Sequence, residues 1–224
     1  MQLNYKIEHR NIKYPRLEFK GTTLLVILPP NIKDPTKIIE KRKNWIQKKW
    51  QIIQRAIKSI DTNQSFMILG QPYSIQHTDN EAPMIDFQNK TIKINPENPK
   101  HQKIMKKKFK KILLQKINSF VEEYSQKLGE KPNKIWIRRQ TTKWATCSNK
   151  RNLSFNLKLV CLPEKLIKYV VLHEMLHLKH KRHNIYFWGK IEREFPNYKE
   201  METKLLEYWF QTEILLKNLS INSM

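Results

Sequence analysis

His173-Glu174-Met175-Leu176-His177-Leu178-Lys179-His180-Lys181-Arg182-His183 is the stretch on which the reading of this chain turns. Two histidines four apart share one face of a helix with Cβ atoms about 5–6 Å apart, so two imidazole nitrogens can converge on one ion at about 2.0–2.1 Å. Glu174 projects about 100° further round the helix, beside such an ion rather than onto it. A carboxylate there can take a proton from an attacking water. The spacing therefore predicts a zinc site with hydrolytic chemistry.

A catalytic zinc needs a third protein ligand and an open position for water. His180, His183, Glu192 and Glu194 follow the motif. On a straight helix His173 and His180 would be about 10.5 Å apart along the axis, too far for one ion unless the helix breaks. The basic run Lys179-His180-Lys181-Arg182 suits the negative end of a helix and predicts that the chain turns back there. His183, beyond that turn, is the expected third ligand, with Glu192 or Glu194 on a following helix as the rivals. Upstream, Pro163 and Glu164 read as a first helical turn, and Leu166, Tyr169, Val170, Val171, Leu172, Met175 and Leu176 make the helix apolar nearly all round. Ionisable residues on a buried helix need a reason, which favours a metal site over core histidines.

The remaining composition bounds the answer. At 224 residues the chain can bury a core without staples, and its two cysteines, Cys147 and Cys161, lack zinc-finger spacing. A reducing, cytoplasmic setting is expected: the start has no apolar signal-peptide core, and no apolar run approaches the ~20 residues that span a bilayer. Lys plus Arg outnumber Asp plus Glu by 43 to 20, giving a formal charge of +23. Such a field attracts polyanions, nucleic acid first, unless it reflects only a lysine-rich composition.

Taken in order, residues 3–28 predict a small antiparallel sheet and residues 36–60 an amphipathic helix with a basic outer face. Phe66–Ile75 and Ile85–Ile94 read as further short strands. Pro96 and Pro99 precede a long helix, Lys100–Leu128, whose lysines at 100, 103, 106, 107, 108, 110, 111 and 116 are the densest positive patch. A boundary is expected near residue 97, dividing a β-rich subdomain (1–97) from the domain that carries the motif (98–224). Lys134–Arg138 and Asn152–Leu159 read as strands joined through Lys143–Lys150. A short helix ending at Pro196 and a last one, Tyr198–Leu219, follow the motif. The fold class is thus α+β.

The run Arg138-Arg139 to Trp144-Ala145-Thr146-Cys147-Ser148, then Asn152-Leu153-Ser154-Phe155-Asn156, the HExxH motif and His183-Asn184-Ile185-Tyr186-Phe187-Trp188 resembles the YgjP-like metal-dependent hydrolases. These stand with the M48-type and SprT-like zincin metallopeptidases. The resemblance covers the whole chain, including a helix with Trp45-Ile46. It implies zinc on His173, His177 and His183, and it departs at Ala145, where the family has glycine. The Trp144–Ser148 segment is expected to hold a strand over the site, with Cys147 structural. The combined expectation is a zinc metallopeptidase acting on peptides or proteins, with Glu174 as general base and the strand Leu153–Leu159 offering an edge to substrate. The alternatives are a DNA-associated protease and a nucleic-acid-binding protein with a structural zinc.

Overall fold

Tyr5–His9 (β1), Arg16–Lys20 (β2) and Thr23–Leu28 (β3) form a three-stranded sheet with β3 in the middle. The expected sheet is there, but it is mixed: β2 runs antiparallel to β3, whereas β1 pairs parallel, Tyr5 against Leu24. The chain reverses twice between β1 and β3, so two strands on opposite edges of β3 cannot both oppose it. Leu24, Val26 and Leu28 pack with Ile46, Leu17, Phe19 and Trp45. The helix expected over 36–60 is two helices, Thr36–Lys41 (α1) and Lys43–Lys58 (α2), separated at Arg42.

The computed structural model describes residues 4–58, 65–79 and 81–220. Contacts divide it into two units, residues 1–60 and 61–224. The division falls earlier than the expected boundary near 97, for a physical reason. Ser65–Ile68 (β4), Gln71–Gln76 (β5), Met84–Asp86 (β6) and Thr91–Lys93 (β7) form a sheet in the order β4-β5-β7-β6 that belongs with the C-terminal elements. Phe66 stacks on Phe109 at 4.8 Å, and the Leu69 amide donates to the Val160 carbonyl at 2.7 Å. At Gly70, φ is +79° and a Cβ would meet the Pro163 backbone at 2.7 Å, so this turn requires glycine.

Pro99–Leu128 (α3) is bounded as its sequence dictates. The Asn98 side chain accepts from the Lys100 amide, Pro99 opens the helix, and Gly129 closes it in the left-handed conformation. Met105, Phe109, Leu113 and Ile117 recur every four residues with no exposure, each contributing about 1.5–3 kcal/mol by burial. Lys103, Lys107, Lys110 and Lys111 lie exposed on the opposite side.

Lys134–Arg138 (β8), Ala145–Cys147 (β9) and Asn152–Asn156 (β10) make the second unit's other sheet, ordered β8-β10-β9. β10 ends at Asn156 rather than at Leu159, because the Asn156 carboxamide accepts from the Lys158 amide and starts a 3-10 turn, Leu157–Cys161. Glu164–Leu176 (α4) follows, buried nearly all round as expected. Lys116 and Glu123 of α3 pair with Glu164 and Lys168 of α4 at 2.9 and 2.8 Å. Ile185–Glu194 (α5) and Tyr198–Asn218 (α6) complete the chain. Among the described residues no helix is long and apolar enough to cross a membrane.

Candidate metal centre

α4 stops at Leu176, within the motif, and the chain leaves it through tight turns: the Leu178 amide donates to Met175 and the His180 amide to Leu176. It then reverses into α5, where the Asn184 side chain accepts from the Phe187 amide at 3.0 Å. That reversal carries His183 back over α4. Its Nε2 lies 3.0 Å from His173 Nε2, and the ligand atoms of His173, His177 and His183 all lie within 4.8 Å of one another. Two ligands at about 2.0–2.1 Å on a tetrahedral ion are roughly 3.3 Å apart, so the donor set fits zinc in kind and spacing. Phe187, wholly buried, packs against all three imidazoles, with ring centroids at 5.0, 4.9 and 4.7 Å. Trp188 stacks on His183, and Tyr198 on Trp188.

The electrostatics keep His173 and His177 in their ligand form. Burial, then His177 and His183, pushes the His173 pKa down to about 3. Burial also lowers that of His177, opposed by its bond to the His180 carbonyl. That carbonyl lies 2.9 Å from His177 Nδ1, so it accepts the ring proton and leaves Nε2 with its lone pair.

Glu174 is 7 % exposed, and burial raises its pKa to about 7 against the opposing charge of Lys143. Its Oε2 is buried with no hydrogen-bond partner among the described residues. A lone carboxylate oxygen at such depth is costly unless a water or a substrate group meets it.

The rival ligands are placed elsewhere. The His180 ring lines a cavity with Lys179, Ile185, Tyr186 and Lys190, away from the three imidazoles. Glu192 is exposed on α5. Glu194 pairs with Lys127 at 3.1 Å and accepts from the Tyr124 hydroxyl at 3.4 Å.

The 139–148 segment flanks the site and corrects one expectation. β10 is paired on both sides, parallel with β8 and antiparallel with β9, so it has no edge to offer. β8 and β9 are the two edge strands, and β9 is the one that packs against α4, which carries the motif. The Asn156 amide donates to Trp144 and the Ser148 amide to Asn152, so the ladder alternation turns the backbone groups of Ala145 and Cys147 away from β10. Ala145 lies in extended strand with no positive φ, so its replacement of a glycine breaks no turn. Cys147 is half-buried, its thiol pKa raised chiefly by burial, and it stands outside the imidazole group. Sequence reasoning missed Asn156 as a positioning residue. Fully buried, it donates to the carbonyls of Gln140 and Lys143 at 2.8 and 2.9 Å and so anchors the loop that brings Lys143 towards Glu174. The segment Leu153–Val160 alternates apolar residues with Ser154, Asn156 and Lys158, so nothing local set Asn156 apart.

Comparison with known proteins gives a matching context. A family model described as "YgjP-like, metallopeptidase domain" matches residues 13–208. A search of curated proteins found no match. Among solved structures, the metallopeptidase zymogen abylysin of Pyrococcus abyssi is 25 % identical with a TM-score of 0.37, covering 40 % of this chain and 91 % of its own. The metallopeptidase zymogen jannalysin of Methanocaldococcus jannaschii is 29 % identical with a TM-score of 0.37, covering 42 % and 94 %.

Proposed function

The chain belongs to the YgjP-like metallopeptidase-domain family, and from that premise we propose that it is a zinc-dependent peptidase whose ion is held by His173, His177 and His183. The observation that carries the proposal is the juxtaposition of three convergent imidazoles with a buried carboxylate oxygen, Glu174 Oε2, that has no partner among the described residues. Three ligands are the donor count of a catalytic rather than a structural zinc. Zinc bound there would supply a Lewis acid that polarises the scissile carbonyl and acidifies water.

The chain's own residues supply the rest. Glu174 Oε2 takes the proton of the attacking water and passes it to the leaving amine nitrogen, a task matched by a carboxyl raised to about 7. Lys143 holds positive charge near that carboxylate, and Asn156 holds the Lys143 carbonyl in place. The outward backbone groups of Ala145 and Cys147 would pair with an extended peptide, fixing its carbonyl over the site by strand addition. Phe187 and Trp188 pack against the imidazoles and hold their orientation.

Incubating zinc-loaded protein with a mixed peptide library and reading the products by mass spectrometry tests the proposal. New termini that appear with zinc and vanish with a chelator are the expected result. An unchanged library under every metal condition would overturn it.

A further inference from the structure

We propose that the cavity enclosed by α3, the segment after β8 and the 3-10 turn after β10 is a binding site for a phosphate group. The cavity measures about 100 Å³ and is lined by Lys106 and Lys110 of α3, Arg139, Asn156 and Lys158, together with two leucines. Its lining carries four cationic side chains and no carboxylate. A volume of this order holds a group of several heavy atoms rather than a single water.

Four cationic groups meet at this cavity, with Glu213, bonded to Lys158, as a carboxylate beside them. Lys106 and Lys110 sit one helical turn apart, a spacing at which like charges destabilise a helix. Lys158 is 7 % exposed, and lysine is almost never so buried without partners. It is fixed by Glu213 at 3.0 Å and by the Trp209 ring at 4.0 Å, while its own amide is held by Asn156. Burial lowers the Lys106 pKa, and Lys110 and Arg139 lower it further. Burial lowers that of Lys158 too, with Glu213 opposing and Arg139 adding. A multiply charged anion in the cavity would relieve both ammonium groups. An arginine fork beside several point-charge ammonium groups matches the spread oxygens of a phosphate.

Two sources share this chemistry: a nucleic-acid backbone and free phosphate. The backbone is favoured because Lys103, Lys107 and Lys111 continue the positive charge in exposed positions along α3. Asn156 also anchors the Lys143 loop, but Lys106, Lys110, Arg139 and Lys158 take no part in the metal centre, so the proposal is tested apart from the peptidase reading.

The test uses the full chain. Inorganic phosphate is titrated calorimetrically, and short mixed-sequence oligonucleotides, single-stranded and duplex, are titrated by fluorescence anisotropy at several salt concentrations. In the double variant Lys110→Gln, Arg139→Gln, affinity for the occupying ligand should fall at least about 10-fold, and for duplex the slope of log K against log salt should flatten by about 1–2. Arg139→Lys should retain part of the binding, and exposed Lys204→Gln all of it. Phosphate should also raise the wild-type Tm above that in chloride at matched ionic strength, a readout that needs no variant. A response of phosphate alone assigns the site to free phosphate, and a response of the oligonucleotides assigns it to a backbone. Equal affinities and slopes in the double variant and wild type, with no Tm rise, would overturn the proposal.

Discussion

The His180 carbonyl oxygen accepts from His177 Nδ1 at 2.9 Å, while the His180 ring turns into a separate cavity. The backbone of this residue touches the candidate metal centre, and its ring is outside the imidazole group. His180→Ala should therefore keep about one zinc per chain with less than ~10-fold change in affinity, whereas His177→Ala should lose the ion. Metal analysis after dialysis decides it: release from His180→Ala would make the ring a ligand.

Glu194 is committed to Lys127 and Tyr124, which separates it from His183 as a third ligand. Glu194→Gln should leave zinc content unchanged and lower stability by no more than about 1 kcal/mol, as a partly exposed pair implies. His183→Ala should release the metal. The reverse pattern would move the third ligand to the carboxylate.

β9 is the edge strand beside α4, so its two kinds of backbone group should respond differently to proline. Cys147→Pro removes an outward amide and leaves the β9–β10 ladder intact, so kcat/KM on a cleaved peptide should drop at least about 10-fold with zinc content and Tm nearly unchanged. Thr146→Pro removes a ladder amide and should instead lower Tm. Equal kcat/KM in Cys147→Pro and wild type would exclude strand addition at this edge.

Acid should loosen the contact between α3 and α4. Hydrogen bonds from Lys127 and then Lys168 hold the Glu123 pKa below its ordinary 4.5. A depressed carboxyl contributes stability above the unfolded pKa and loses it as pH falls through the folded one. Urea midpoints of wild type should exceed those of Glu123→Gln at pH 6 and converge with them only as pH falls below the ordinary carboxylate range, because the folded pKa is lowered. A difference that persists at low pH would show that the side chain acts by packing rather than charge.

What could be read in the sequence was what local periodicity and capping control. The four-residue stripe from Met105 to Ile117, the Asn98-Pro99 start and the Gly129 stop specify α3 without reference to any other segment. The motif spacing likewise places His173 and His177, and the basic run after them marks the turn that returns His183. Pairing depends on distant segments, and there the reading failed. Nothing local tells β1 to run parallel to β3, or ties the β4–β5 turn at Gly70 to Pro163. β9 is three residues of modest strand preference, Ala145-Thr146-Cys147, visible only once β10 is beside it. The strand expected to run on to Leu159 ends early because one side chain, Asn156, satisfies the backbone differently. The basic cavity was hidden for the same reason, since residues 106, 139 and 158 meet only in the fold. The separation of α1 from α2 at Arg42 has no account in the sequence.

The most direct test of the hydrolytic account is Glu174→Gln, which preserves size and removes the base. Its zinc content, measured by metal analysis, should equal that of wild type, while kcat/KM on a peptide identified from the library falls by two or more orders of magnitude. A Glu174→Gln variant that keeps its zinc and cleaves at the wild-type rate would contradict the role assigned to this carboxylate and the mechanism built on it.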